Sequence, residues 1–171
     1  PMDVQAKPVQ LRDYQHQALM EFLKRRKGVI EMATGTGKTF IAIEALRRLD
    51  LPAVILAPTI PIMKTVWERR LKEYGFPVGL YYGDEKRAGA KILVATYQSA
   101  VRHTHIMKRP FIIFDEVHHA AAPEWSKLLG YVPNAEYALG LTATLGRRWG
   151  ERYKTCLLYT SPSPRDLSTS R

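Results

Sequence analysis

The sequence predicts an α/β fold: a parallel sheet with helices packed on both of its faces. Three observations carry this. Helical and extended patterns alternate along the chain. Residues 53–57 (AVILA) form an unbroken apolar run, as a strand buried on both faces requires. A glycine-rich stretch, Met32-Ala33-Thr34-Gly35-Thr36-Gly37-Lys38-Thr39, separates an apolar run from an amphipathic one, the strand–loop–helix setting of a phosphate-binding loop.

The elements follow in order. Tyr14, Ala18, Leu19, Phe22 and Leu23 recur at helical spacing, and Lys24-Arg25-Arg26-Lys27 closes that helix favourably for its dipole. Residues 28–32 read as a strand feeding the loop. Phe40, Ile41, Ala45, Leu46 and Leu49 form the next helical face, and Met63, Val66, Trp67, Leu71 and Tyr74 a third. Further strands are predicted over 53–57, 78–82, 92–95, 111–114 and 138–141, and short helices over 97–101 and 123–129. In such a sheet ligands bind beyond the carboxyl ends of the strands.

Two motifs lie at such ends. In the loop, glycines let backbone N–H groups face phosphate oxygens, Lys38 adds a point charge for the β and γ phosphates, and Thr39 offers a hydroxyl to Mg²⁺. The general pattern has Gly where this chain has Met32. Downstream, Phe111-Ile112-Ile113-Phe114 ends in Asp115-Glu116-Val117-His118. An acid closing a strand after a phosphate loop is placed to coordinate Mg²⁺, and Glu116 beside it to polarise an attacking water.

Composition sets limits. The chain has 171 residues, enough for one domain, with 46% hydrophobic residues and a net charge of +10. The charge favours a polyanionic partner without choosing one. No run approaches the ~20 apolar residues of a membrane span. The single cysteine excludes an internal disulfide and fits a reducing, cytoplasmic setting. His103-Thr104-His105 and His118-His119 lack the closed ligand set of a zinc site. Arg69, Arg70, Lys72, Lys86 and Arg87 read first as solvated faces, and Trp67 as core.

Residues 156–171 (CLLYTSPSPRDLSTSR) break with the preceding composition. One reading is a flexible Ser/Pro linker. The sharper expectation is a non-native tail, because CLLYTSPSPRD is the translation of a string resembling transposase-type sequencing-adapter DNA. The native part is then at most residues 1–155. The tail takes with it Arg165, Asp166, Arg171 and Cys156, and what remains is still strongly basic.

Taken in order, LRDYQ, MATGTGKT, APTIPIMKTVWERRL, ILVATYQSA, FIIFDEVHH and LGLTATLGR resemble the first RecA-like motor domain of superfamily 2 DEAD/DEAH-type helicases and translocases. The DEVH form, with LRxYQ and LTAT, looks most like the group holding XPB, restriction-type translocases and related phage or archaeal helicases. Asp13 and Leu145 stand where that group commonly has proline.

The resemblance implies a RecA-like P-loop NTPase fold over 1–155 and ATP and Mg²⁺ as cofactors. It implies that Thr34, Gly35, Thr36, Gly37, Lys38 and Thr39 hold the triphosphate, and that Thr39 and Asp115 hold Mg²⁺. Glu116 then orients or deprotonates water, and Gln15 with Arg12 reads adenine. His118, Thr142 and Thr144 couple nucleotide state to movement, while Pro58, Thr59 and Thr96 contact a nucleic-acid backbone. DNA is the expected track, RNA the alternative. A second RecA-like domain, absent from this chain, is the expected partner that completes ATP hydrolysis. The reading from a different class is a nucleotide-gated nucleic-acid-binding module without unwinding activity.

Overall fold

The computed structural model describes residues 6–32, 37–83, 85–86 and 89–143, without the side chains of 85 and 86. Its centre is a seven-stranded sheet in the order β1-β7-β6-β2-β5-β3-β4. The strands are β1 (Lys27–Glu31), β2 (Ala53–Ala57), β3 (Val78–Tyr82), β4 (Glu85–Lys86), β5 (Ile92–Thr96), β6 (Phe111–Phe114) and β7 (Tyr137–Thr142). Six strands run parallel, and β4 pairs antiparallel with β3 at one edge. The predicted parallel sheet is therefore present. The strand expected over 28–32 lies one residue earlier, and β4 was not expected.

Strand alternation assigns the two faces. Ile30, Ala53, Ile55, Ala57, Val94, Phe111, Ile113, Leu139 and Leu141 point to one side. There they meet α1 (Asp13–Arg25), α2 (Lys38–Leu49) and a third helix, α3 (60–73). Val29, Val54, Leu56, Leu93, Ala95, Ile112, Phe114 and Ala138 point to the other. That face is covered by α4 (Tyr97–Arg102) and by 3₁₀ turns at Thr104–Met107, Val117–Ala121 and Ser126–Tyr131. The helix expected over 123–129 is thus a later 3₁₀ segment, preceded by turns.

Helix α3 has three consecutive parts: an α-helical turn Ile60–Ile62, a π-helical stretch Met63–Glu68 and a final α-helical turn Arg69–Glu73. The sequence supplies a reason. Its buried residues Met63, Trp67 and Leu71 are spaced by four. On an α-helix of 3.6 residues per turn that spacing drifts about 40° per step. The wider π turn keeps all three on the sheet. Thr65 Oγ1 also donates back to the Pro61 carbonyl at 2.7 Å, a bond that loosens regular helix.

Glu44 on α2 is buried, 2% exposed. Its carboxylate accepts from the Val9 N–H (3.0 Å), from Arg47 (3.0 and 2.6 Å) and from Arg48 (2.9 Å). Burial alone would raise its pKa, but the Arg47, Val9 and Arg48 bonds outweigh it and hold the carboxyl at about 2. The folded value lies below the unfolded one. The stability it contributes is present above about pH 4.5 and is lost as pH falls toward 2, on the order of 3 kcal/mol in all. Thermal melts of the wild type and Glu44→Gln should therefore differ most at neutral pH and converge toward pH 2–3. A constant difference across that range would refute the assignment.

Candidate nucleotide site and adjoining groove

Strand order puts the two chemical motifs side by side. The loop follows β1, the acid pair follows β6, and β7 lies between them. The Met32 N–H donates to the Thr142 carbonyl at 3.1 Å, which ties the start of the loop to the end of β7. Thr34, Gly35 and Thr36 lie outside the described residues, as does Thr144.

Gly37 caps α2 with φ 85°, a left-handed conformation that glycine adopts without steric cost. A Cβ there would stand 2.3 Å from Gln15 Nε2. The Gln15 amide thus lies against the loop, which no sequence spacing revealed. Gln15 Oε1 accepts the Arg12 N–H at 2.8 Å, so this side chain also helps to begin α1. Gln15 is 6% exposed. Gln15 of the expected adenine-reading pair is thereby brought against the phosphate loop.

Lys38 and Thr39 form the first turn of α2, where the positive end of the helix dipole favours an anion. Lys38 is close enough to Asp115 to favour its ionised form. Asp115 is buried at the end of β6, and its N–H donates to the Leu56 carbonyl at 2.9 Å. Burial raises its pKa to about 6 and the Glu116 charge adds to that, while the Trp67 hydrogen bond and Lys38 work against it. A buried carboxylate of this kind suits a divalent cation, whose charge would offset the cost of its burial. Thr39 and Asp115, the pair expected to hold Mg²⁺, lie in the first turn of α2 and at the end of β6.

Glu116 holds φ 47°, outside the usual range for a non-glycine residue, and starts the 3₁₀ turn Val117–Ala121. Such a conformation costs of order 1–3 kcal/mol. The turn aims His118 back at the sheet: its Nδ1 lies 3.5 Å from Thr142 Oγ1 and 3.8 Å from Glu116 Oε1. Burial, with His119 beside it, lowers the His118 pKa, although Glu116 opposes this, so the ring is neutral near pH 7. The expected coupling pair His118 and Thr142 is brought together.

Pro58, Thr59 and Thr96 meet at the ends of β2 and β5. They line a groove of about 400 Å³ with Tyr82, Gly83, Gln98, Arg102, His103, His119 and Trp125. Thr59 Oγ1 accepts from the Ile62 N–H at 3.3 Å and starts α3. Thr96 Oγ1 accepts from the Ser99 N–H at 3.1 Å and starts α4. A larger hollow of about 650 Å³, lined by Arg47, Arg48, Phe76 and Lys91, includes the residues flanking the start of β5, at the opposite end of the strands from both motifs. Among the described residues no cluster of three or more His, Cys, Asp or Glu forms a metal-binding group, and no helix is long and apolar enough to cross a membrane.

Two aromatic residues near Asp115 escaped the sequence. Trp67, expected as core, is fully buried, and its Nε1 donates to Asp115 Oδ2 at 2.8 Å. The Tyr97 hydroxyl donates to the Asp115 carbonyl at 2.7 Å. Helical periodicity predicts burial for Trp67 and says nothing of a partner 48 residues away.

Fold and site together define a P-loop nucleotide-binding domain of the RecA-like kind. Residues 8–147 match the family described as Type III restriction enzyme, res subunit. Over 146 residues the chain is 36% identical to the DNA 3'-5' translocase XPB2 of Sulfurisphaera tokodaii, covering 84% of this chain and 33% of that protein. It is 29% identical to the DNA 3'-5' helicase XPB of Mycobacterium tuberculosis, covering 88% of this chain and 29% of the relative. The chain thus spans about a third of the length of these relatives. The UvsW helicase of bacteriophage T4 superposes with a TM-score of 0.76 at 17% identity, over 95% of this chain and 64% of that one. The SWI2/SNF2 ATPase core of Sulfolobus solfataricus, solved in complex with dsDNA, superposes with a TM-score of 0.74 at 19% identity, over 92% and 37%. The chain belongs to the restriction-type, XPB-like family of superfamily 2 helicases and contributes its first RecA-like domain.

Proposed function

We propose that this chain is the ATP-binding half of a DNA motor that couples ATP hydrolysis to movement along nucleic acid. The observation that carries the reading is the adjacency of two sites at one end of the sheet. The phosphate and acid residues gather around β1, β7 and β6, and the groove of Pro58, Thr59 and Thr96 opens beyond β2 and β5. In this reading Gly37, Lys38 and the rest of the loop grip the triphosphate. Thr39 and Asp115 hold Mg²⁺, which neutralises charge on the β and γ phosphates when bound. Glu116 orients the attacking water and takes its proton. Gln15 and Arg12 face the base.

A second RecA-like domain closes on the nucleotide and adds an arginine worth about 10³–10⁵ in rate. A single domain therefore binds ATP·Mg weakly, turns it over very slowly and separates no strands. Residues 156–171 take no part. The family resemblance and the XPB-named relatives favour DNA over RNA.

The test is ATP turnover by the full-length protein with and without duplex DNA. Stimulation by DNA is the expected result. Turnover indifferent to DNA but raised by RNA would move the track to RNA. Nucleotide-dependent DNA binding without turnover would leave only a gated binding module.

A further inference from the structure

Both helices that start at the groove carry an aromatic donor to Asp115. Helix α3 begins at Thr59 and carries Trp67, whose indole N–H reaches Asp115 Oδ2 at 2.8 Å. Helix α4 begins at Thr96 and opens with Tyr97, whose hydroxyl reaches the Asp115 carbonyl at 2.7 Å. One helix holds the carboxylate of this residue and the other holds its main chain. Trp67 is 0% exposed and Tyr97 2% exposed, so water cannot readily replace either donor.

We infer that Trp67 and Tyr97 are positioning residues through which occupancy of the groove sets the placement of Asp115, and with it the Mg²⁺ end of the ATP site. This rests on the groove being the nucleic-acid path and Asp115 a metal ligand, as proposed above. A backbone seated against Thr59 and Thr96 bears on the first turns of α3 and α4. Each helix delivers that displacement to one Asp115 atom. In α3 the indole is carried by the π stretch Met63–Glu68 itself, and π turns inside helices are frequent at functional sites. The bland account is that the two rings simply fill the core and satisfy their polar atoms. It predicts effects on stability and none on coupling.

Coupling is a binding quantity and needs no turnover. The Kd of the full-length protein for a labelled duplex is measured by fluorescence anisotropy, with and without Mg²⁺ and a non-hydrolysable ATP analogue. By linkage, the ratio of the two Kd values equals the effect of DNA on nucleotide affinity, and couplings of this kind are typically about 5–150-fold. Trp67→Phe keeps an aromatic ring and removes the N–H. It should bring the ratio close to one while the Kd without nucleotide stays within about twofold. Tyr97→Phe removes only the hydroxyl and should also reduce the ratio, and it carries the comparison if Trp67→Phe fails to fold. In an Asp115→Asn background Trp67→Phe should change the ratio no further. Wild-type ratios in both variants, or a lower melting temperature with the ratio intact, would overturn the inference. No DNA binding by the wild type would instead refute the groove assignment beneath it.

Discussion

Lys38→Ala in the full-length protein lowers ATP turnover by about 10²–10³-fold, the usual cost of removing one preorganised charge from a site where negative charge develops. The position explains the size. Lys38 sits in the first turn of α2 and faces the buried Asp115. In the proposed site the dipole of α2 and this ammonium both act on the triphosphate. Fluorescent-nucleotide binding measured alongside turnover should show weakened affinity as well, because the charge acts on the ground state too. Unchanged turnover would remove the loop from the mechanism.

Glu116→Gln separates binding from chemistry. The carboxylate becomes an amide of the same shape, so the left-handed backbone at φ 47° and the 3₁₀ turn behind it face the same demands. Nucleotide affinity stays near wild type, and the chemical step slows by about 10²–10⁴-fold, the range for a lost general base. Single-turnover kinetics are the right measurement, since they report chemistry without product release. Loss of affinity with unchanged single-turnover rate would make Glu116 a structural residue.

Much of the scaffold was legible. Strands β2, β3 and β6 fall where their apolar runs predict, because a parallel sheet buried on both faces leaves a continuous hydrophobic signal. Strand β4 left none: two polar residues, Glu85 and Lys86, pair with β3 only through register. The phosphate loop and acid pair were readable because their residues are close in sequence and chemically unusual. What holds them was not. Trp67 and Tyr97 reach Asp115 from residues far along the chain, and their patterns, helical spacing for one and a short helix start for the other, fit many core aromatics. Gln15 looked like an adenine reader from its neighbours in the motif, yet its contact with Gly37 arises from the packing of α1 on α2.

The two coverings of the sheet differ in kind, and this has a mechanical consequence. One side carries two helices of 12 and 13 residues and the longer composite α3, whose hydrogen bonds form cooperatively. The other carries, among the described residues, a six-residue helix and three 3₁₀ turns, short pieces with weaker geometry. The domain is therefore a stiff plate backed by a compliant pad. Amides of the pad should exchange with solvent well before those of the plate, because local opening follows local bonding. Glu116 lies where plate and pad meet, so this chain can yield around its reacting atoms while its frame stays still.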